Sequence, residues 1–418
     1  MKKCRLGTLG ITTFILLSTL VISFPVWAAD SSDTIKIAVI DPASGPFAAI
    51  GVQSNNQYEM IADYINQQGG VLGKKLEIVL FDNKNSASES VFQLKRAIDQ
   101  GIRIICQGHS SGSTAALSDA ISKHNSRNPD KRVIFLCPDS TDPSLTNEKC
   151  NFWLFRWGPT ADQKVAALVR YLAADKSIKK VFLINMDYSH GHGVSAASRA
   201  ELKKLRPDVE IVGDVFHAVG KIKDFSPYIN SIKASGADAV ITGDWGTDMN
   251  MLIKASHDAG LKVKWVTLYA GVIGAPSYLR DAGEGTIQVT TWHLNYDDGN
   301  SETTEFALKF KEKYGMDFYY QEINTMIKML CNAIEKTKSV KAIDIAFALE
   351  GMKVDTPTGQ LEMRADNHQA VMPQVVSVFS KGVKYDSEGT GLGWKTVMII
   401  PAKDVYLPTT CKMVRPKK

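Results

Sequence analysis

From Thr34 onward the chain alternates short apolar runs with longer amphipathic stretches. Ile35–Ile40, Leu76–Phe81, Ile102–Cys106 and Val133–Cys137 are apolar or alternating runs rich in β-branched residues, and they read as strands. Between them Ala48–Gln68, Ser86–Gln100 and Ser113–His124 place apolar residues near helical spacing. The aromatic-rich segment Asn151–Trp157 closes this first series, and Pro159-Thr160 marks a helix start. A second series follows, with strands at Val181–Ile184, Val209–Val212, Ala237–Ile241 and Val263–Leu268. Its helices are Ala161–Ala174, Val194–Leu205, Phe225–Ala234 and Met249–Ala259. Strands alternating with helices mean βαβ units, and hence parallel sheets covered on both faces.

Beyond Gly283 the order changes. A β-like run, Ile287–Trp292, precedes the helices Thr303–Tyr314, Tyr320–Thr337 and Ala342–Leu349. Strand-like pieces then recur at Leu361–Met363, Gln374–Phe379 and Thr396–Ile400. Helices without intervening strands must pack on a sheet already built, most simply the first, and the later strands then return to the second. A chain crossing repeatedly between two lobes makes a hinge, and a hinge with a cleft is a ligand clamp.

The N-terminus adds a compartment. Lys2, Lys3 and Arg5 precede the apolar stretch Leu9–Phe24, and Val26 and Ala28 stand three and one residues before a cleavage point. That is the build of a secretory signal peptide over residues 1–28, and it sends the rest of the chain to the periplasm. Across 418 residues, 49 Lys and Arg are interspersed with 44 Asp and Glu, so no basic patch points to nucleic acid. Beyond the leader five cysteines remain, with no C-x-x-C and no Cys/His pair at zinc spacing. Cys106 and Cys137 end strand-like runs and are expected in the core. If one bridge forms, Cys150 with Cys411 is the expected pair, both standing in polar stretches.

The densest polar cluster is Gly108-His109-Ser110-Ser111-Gly112-Ser113-Thr114, after a strand and at the mouth of a helix. Hydroxyls and free N–H groups at a helix N-terminus suit an anion, and ligands of open parallel sheets sit beyond the carboxyl ends of the strands. Ser110, Ser111 and Ser113 are therefore expected to face a carboxylate, against plain helix capping as the competing reading. Asp139, Ser140 and Thr141 follow the next strand at the same edge, in a loop that grips a polar ligand end or simply turns. In the second series His190 and Asp244-Trp245 stand at corresponding positions. His190 reads as a polar wall and Trp245 as a ring covering the ligand. His190 and His192 lack a third ligand, so neither a metal nor a cofactor is expected.

Ser44-Gly45-Pro46, Gly51, Asn66-Gln67-Gln68-Gly69-Gly70-Val71-Leu72-Gly73, Asp82-Asn83, the 110–114 cluster and Asp355-Thr356-Pro357-Thr358-Gly359 together resemble the leucine/isoleucine/valine-binding family. These are the type I periplasmic binding proteins of ABC importers. The resemblance implies an α/β fold of two Rossmann-like lobes joined by three crossovers. It implies 29–153 with 288–358 in one lobe, and 154–287 with 359–418 in the other. It carries Ser111 over as the carboxylate partner, with Thr141 and the backbone near Asp139 alongside, and leans His190 and Trp245 on the ligand; Tyr269, after the Val263–Leu268 strand, is a further expected ligand contact. The likeness departs at Tyr269-Ala270-Gly271-Val272, where members that bind α-amino acids carry an acidic residue before the glycine. A buried ammonium without a carboxylate costs roughly several kcal/mol. Either Asp139 or Asp244 supplies that charge, or the ligand has no α-ammonium.

The expected function is capture of a small carboxylate-bearing solute (an amino acid, an aliphatic or aromatic acid, or an amide) by a monomer that closes on it and serves an ABC permease. A receptor's ligand-sensing partner shares this fold. A secreted hydrolase on the serine cluster is the enzyme alternative, although no G-x-S-x-G elbow is present.

Overall fold

The computed structural model describes residues 34–296 and 301–417. The segment read as a signal peptide lies outside the described residues. The first series runs β1 (Thr34–Val39), α1 (Ala48–Gln67), β2 (Lys75–Leu80), α2 (Ala87–Asp99), β3 (Ile104–Cys106), α3 (Ser111–Arg127), β4 (Ile134–Cys137) and β5 (Leu154–Arg156). Their pairing is parallel throughout, in the order β2-β1-β3-β4-β5. Ile37, Ala38, Val39, Ile105 and Phe135 are wholly buried. That is why these strands read as continuous apolar runs: helices cover both faces of the sheet.

The second series is α4 (Ala161–Ala174), β6 (Lys180–Met186), α5 (Ser189–Leu205), β7 (Glu210–His217), α6 (Ser226–Ser235), β8 (Ala239–Thr242), α7 (Gly246–Asp258), β9 (Lys264–Thr267), α8 (Ala275–Leu279) and β10 (Ile287–Thr290). α4 begins as the sequence predicts. Thr160 accepts from the Gln163 amide at 3.3 Å while Gln163 reaches back to the Thr160 amide at 2.9 Å, a capping box. The chain then forms α9 (Glu302–Tyr314), α10 (Gln321–Thr337), α11 (Ala342–Leu349), β11 (Lys353–Thr356), β12 (Gly359–Met363), β13 (Ala370–Val371), β14 (Gln374–Ser380) and β15 (Gly393–Ile400).

The second sheet has the order β15-β14-β10-β9-β8-β6-β7, parallel from β7 to β10 and antiparallel at β14 and β15. As expected, α10 and α11 pack on the first half, against α1 and β4. The chain therefore passes between the halves three times: after β5, after β10 and before β14. Two expectations are corrected. Leu361–Met363 does not return to the second sheet; β12 pairs with β11 and β13 in a small antiparallel sheet of its own. The expected boundary at 153/154 also falls before β5, which pairs with β4 of the first sheet, and that at 287/288 falls inside β10, which pairs with β9 of the second.

Cys150 and Cys411 are joined by a disulfide, and Cys106 and Cys137 are free and buried. The bridge explains the long C-terminal tail, which runs back over the first half. Arg364 donates to the Leu407 carbonyl at 2.7 Å, Thr409 to Asn147 at 3.0 Å and Arg415 to Glu350 at 2.9 Å. Because the linked residues are 261 apart, the bridge removes much loop-closure freedom from the unfolded chain, worth about 2–5 kcal/mol. Replacing both cysteines by serine is expected to lower the thermal midpoint by several degrees, and a reductant is expected to lower the parent's midpoint but not the variant's.

Candidate functional site

In each sheet the strand order reverses direction once, between β1 and β3 in the first and between β6 and β8 in the second. At such a switch point the connecting helices leave on opposite faces, so the loops at the carboxyl edge part and leave a crevice. The loop after β3 carries Gly108–Ser110, and those after β6 and β8 carry Tyr188 and Trp245. The two crevices meet. Between them lies a cavity walled by Ser110, Ser111, Asp139 and Thr141 from the first half and by Tyr188, His190, Trp245 and Tyr269 from the second. His109, Ser140, Ile50 and Tyr320 complete the wall.

The serines at α3 are not caps. Ser110 occupies the N-cap position without a side-chain bond to the helix, and its φ of +81° is a left-handed conformation that a serine adopts at a cost. The first-turn amides of α3 have no partner within the helix. The Ser111 hydroxyl accepts from the Asp142 amide at 3.3 Å, which leaves its own proton free to donate. The helix mouth thus offers a hydroxyl and uncapped amides to an anion.

Ser113 and Asp244 do not line the cavity. Ser113 stands two residues past Ser111, about 200° around the helix, and its hydroxyl is buried on the inner face. Asp244 accepts from the Met186 amide at 2.8 Å and pairs with His217 at 2.7 Å, all inside the second half. Ser140 borders the cavity, yet its hydroxyl donates to the Gly108 carbonyl at 2.9 Å and braces one loop against the next.

Across the cavity the two halves touch. His190 Nε2 lies 2.9 Å from the Gly243 carbonyl, which can only accept, so the proton is on Nε2 and Nδ1 is an acceptor. The Thr141 hydroxyl, 2.6 Å from Nδ1, donates to it and in turn accepts from the Tyr269 hydroxyl at 3.3 Å. Burial pushes the His190 imidazole down to about 4, so the ring stays neutral. Thr141, expected from the resemblance as a carboxylate donor, has its proton committed to His190 in this conformation. The Phe47 ring of the first half packs tilted against Trp245 of the second, centroids 4.5 Å apart, and Trp245 donates to the Tyr188 hydroxyl at 2.8 Å.

At and behind this wall lies a charge cluster that sequence reasoning missed, apart from Asp139, which borders the cavity. Lys164 Nζ sits 3.7 Å from Asp139 and 4.1 Å from the centroid of Tyr269. Glu322 is buried on the same side and accepts from Thr291 at 3.0 Å. Lys164 pairs with Asp139, and its charge also acts on the buried Glu322. Burial, with Glu322 adding to it and Lys164 opposing, pushes the Asp139 carboxyl up to about 7. Since the ordinary value is 3.8, the folded chain holds more protons here than the unfolded one between these limits. Stability from this group therefore falls as pH rises through that window. Asp139→Asn removes the titration, so the midpoint of the variant relative to the parent is expected to climb from about pH 4 to about pH 8 in thermal scans.

Arg156 was also missed. Wholly buried at the end of β5, it donates to the carbonyls of Ser140 at 3.0 Å and Asp142 at 2.6 Å, to Gln369 at 2.6 Å and to Thr146. It fixes the loop that presents Asp139 and Thr141. A charge inside the aromatic run Asn151–Trp157 was the available signal for it.

Residues 34–382 match the family model described as periplasmic binding protein. The chain belongs to the periplasmic binding protein family. A Leu/Ile/Val-binding protein homolog 4 of Brucella melitensis biotype 1 is 32% identical over 402 residues, 93% of this chain and 95% of that one. The solved leucine-, isoleucine-, valine-, threonine- and alanine-binding protein from Brucella ovis, in a closed conformation, superposes with a TM-score of 0.83 at 31% identity. It covers 92% of this chain and 100% of that one. A Rhodopseudomonas palustris BisB5 solute-binding protein in complex with 3,4-dihydroxybenzoic acid shares the fold at a TM-score of 0.76 and 20% identity, over 89% of this chain and 98% of that one. As a periplasmic binding protein the chain is a substrate binder and not an enzyme, which sets the hydrolase alternative aside. Among the described residues no helix is long and apolar enough to cross a membrane, and no three His, Cys, Asp or Glu side chains are gathered to hold a metal ion.

Proposed function

We propose that the protein captures a small apolar α-amino acid between its halves in the periplasm and presents it, closed, to an ABC permease. The reading rests on one observation: the uncapped mouth of α3 and the carboxylate of Asp139 line the same cavity. The solute's carboxylate docks on the Ser111 hydroxyl and the first-turn amides of α3. Its ammonium lies toward Asp139. Of the two acids that stood in place of the family's missing one, Asp244 is taken up by His217, and Asp139 borders the cavity. An ammonium arriving there balances the second carboxylate of the Asp139–Lys164–Glu322 cluster. Tyr188, Trp245, Tyr269 and Tyr320 offer an apolar and aromatic wall to the side chain. The names carried by the Brucella relatives support the same class.

Closure follows from contacts made to both halves at once, which favour the closed state over the open one. Calorimetric titration tests the reading with L-leucine, L-isoleucine and L-valine against 4-methylpentanoate, which is leucine without its ammonium, and 4-hydroxybenzoate. The amino acids are expected to bind at least about tenfold more tightly than 4-methylpentanoate, the scale of one charge-assisted hydrogen bond. Asp139→Asn is expected to shrink that ratio. Equal binding of 4-methylpentanoate, or preference for 4-hydroxybenzoate, contradicts the ammonium assignment and leaves a carboxylic acid as the solute.

A further inference from the structure

Thr141 and His190 meet across the cleft, one from each half, and every atom of that contact belongs to the protein. We propose that the pair is a latch that holds the two halves closed independently of the solute. Both side chains are buried, and the Thr141 hydroxyl lies 2.6 Å from His190 Nδ1. The placement of the protons makes the pairing specific. His190 Nε2 is committed to the Gly243 carbonyl, so Nδ1 accepts and Thr141 is the donor. The Thr141 oxygen keeps lone pairs, and the Tyr269 hydroxyl of the second half donates to it at 3.3 Å. One hydroxyl of the first half is thus held by two side chains of the second, one from α5 and one from the loop after β9. Parting the halves breaks both bonds at once.

Each end of the latch is anchored in its own half. Thr141 lies in the loop that Arg156 grips by the carbonyls of Ser140 and Asp142. His190 stands in the first turn of α5 and leans on the loop after β8, where a Cβ on Gly243 would fall 3.0 Å from Nε2. That same loop carries Trp245, whose ring packs against Phe47 of the first half. The polar bond and the aromatic contact therefore join the same two halves through one loop.

Such a latch acts on populations and not on solute contacts. Apparent affinity scales with the fraction of molecules in the binding-competent conformation, so a bond that favours closure tightens binding without touching the solute. A neutral hydrogen bond shifts that balance about 3- to 10-fold, which leaves the open state accessible for entry. Thr141 is then a positioning residue that acts through His190, in place of the carboxylate donor that the resemblance implies. The solute's carboxylate keeps the Ser111 hydroxyl and the first-turn amides of α3. That division of roles rests on the solute reading proposed above, whereas the latch itself does not.

Small-angle X-ray scattering of the protein, dialysed free of solute, tests the latch. Thr141→Val keeps the shape and removes the donor, and His190→Leu removes the acceptor. Each is expected to raise the radius of gyration above the parent's, while Thr141→Ser, which keeps the hydroxyl, is expected to scatter like the parent. Calorimetry with L-leucine then separates a latch from a solute contact. Each of the two disrupting variants is expected to weaken binding about 3- to 10-fold, and the double variant no more than either alone. A radius of gyration in Thr141→Val or His190→Leu equal to the parent's overturns the proposal. So does a double variant whose loss is the product of the two single losses, because Thr141 and His190 would then act separately. If one variant fails to fold, the other decides. If L-leucine does not bind the parent, the solute reading falls and the scattering decides the latch alone.

Discussion

Arg156→Met is expected to destabilise the protein by roughly 3–5 kcal/mol and to abolish solute binding, the largest effect of any single substitution considered. The side chain is wholly buried and donates to two carbonyls, an amide oxygen and a hydroxyl. Methionine fills much of the volume but leaves those acceptors without donors, and each unsatisfied buried acceptor carries its own desolvation penalty. The carbonyls belong to Ser140 and Asp142, so the loop between β4 and β5 loses its anchor, and with it the placement of Asp139 and Thr141. Arg156→Lys is expected to rescue little, because a single ammonium does not reproduce the planar fork that reaches all four acceptors. Chemical denaturation measures the stability change, and calorimetry of the folded fraction measures binding.

Ser111→Ala is expected to weaken solute binding about 10- to 100-fold while leaving the unliganded midpoint within about a degree or two. The lost group is a hydroxyl proton that nothing else in the protein uses, and its acceptance from the Asp142 amide at 3.3 Å is long. Ser113→Ala, two residues further along the same helix, is the contrasting variant. Its hydroxyl is buried and unpaired, so removing it is expected to leave affinity unchanged and stability unchanged or slightly raised. An equal loss of affinity in both variants would mean that α3 acts on the solute only as a whole element, and not through Ser111.

The fold was largely legible in the sequence because its strands are buried on both faces. Ile104–Cys106 and Ile134–Cys137 are uninterrupted apolar runs for that reason, and the polar clusters that follow them fall at the carboxyl edge where solutes bind. Spacing alone did not say which way a side chain in those clusters turns. Ser111 and Ser113 share a motif and differ by half a helical turn. Trp245 and Asp244 are adjacent, yet one faces the cavity and the other is held by His217. The charged support was harder to read still. Lys164, Glu322 and Arg156 come from α4, α10 and β5, far apart in the chain, and only Arg156 stands as a lone charge among apolar neighbours. Only the packing of α4 and α10 against the cleft brings two of them to Asp139. β12 was misplaced because a five-residue strand with only Leu361 and Met363 facing inward pairs equally well with a local hairpin partner as with a distant sheet.

The most direct test is a crystal structure of the protein with the tightest-binding amino acid from the titration series. The account predicts the solute between the two switch points, its carboxylate within hydrogen-bonding distance of the Ser111 hydroxyl and the first-turn amides of α3, and its ammonium against Asp139. A solute seated elsewhere, or one that reaches the cleft with its carboxylate turned away from α3, contradicts it.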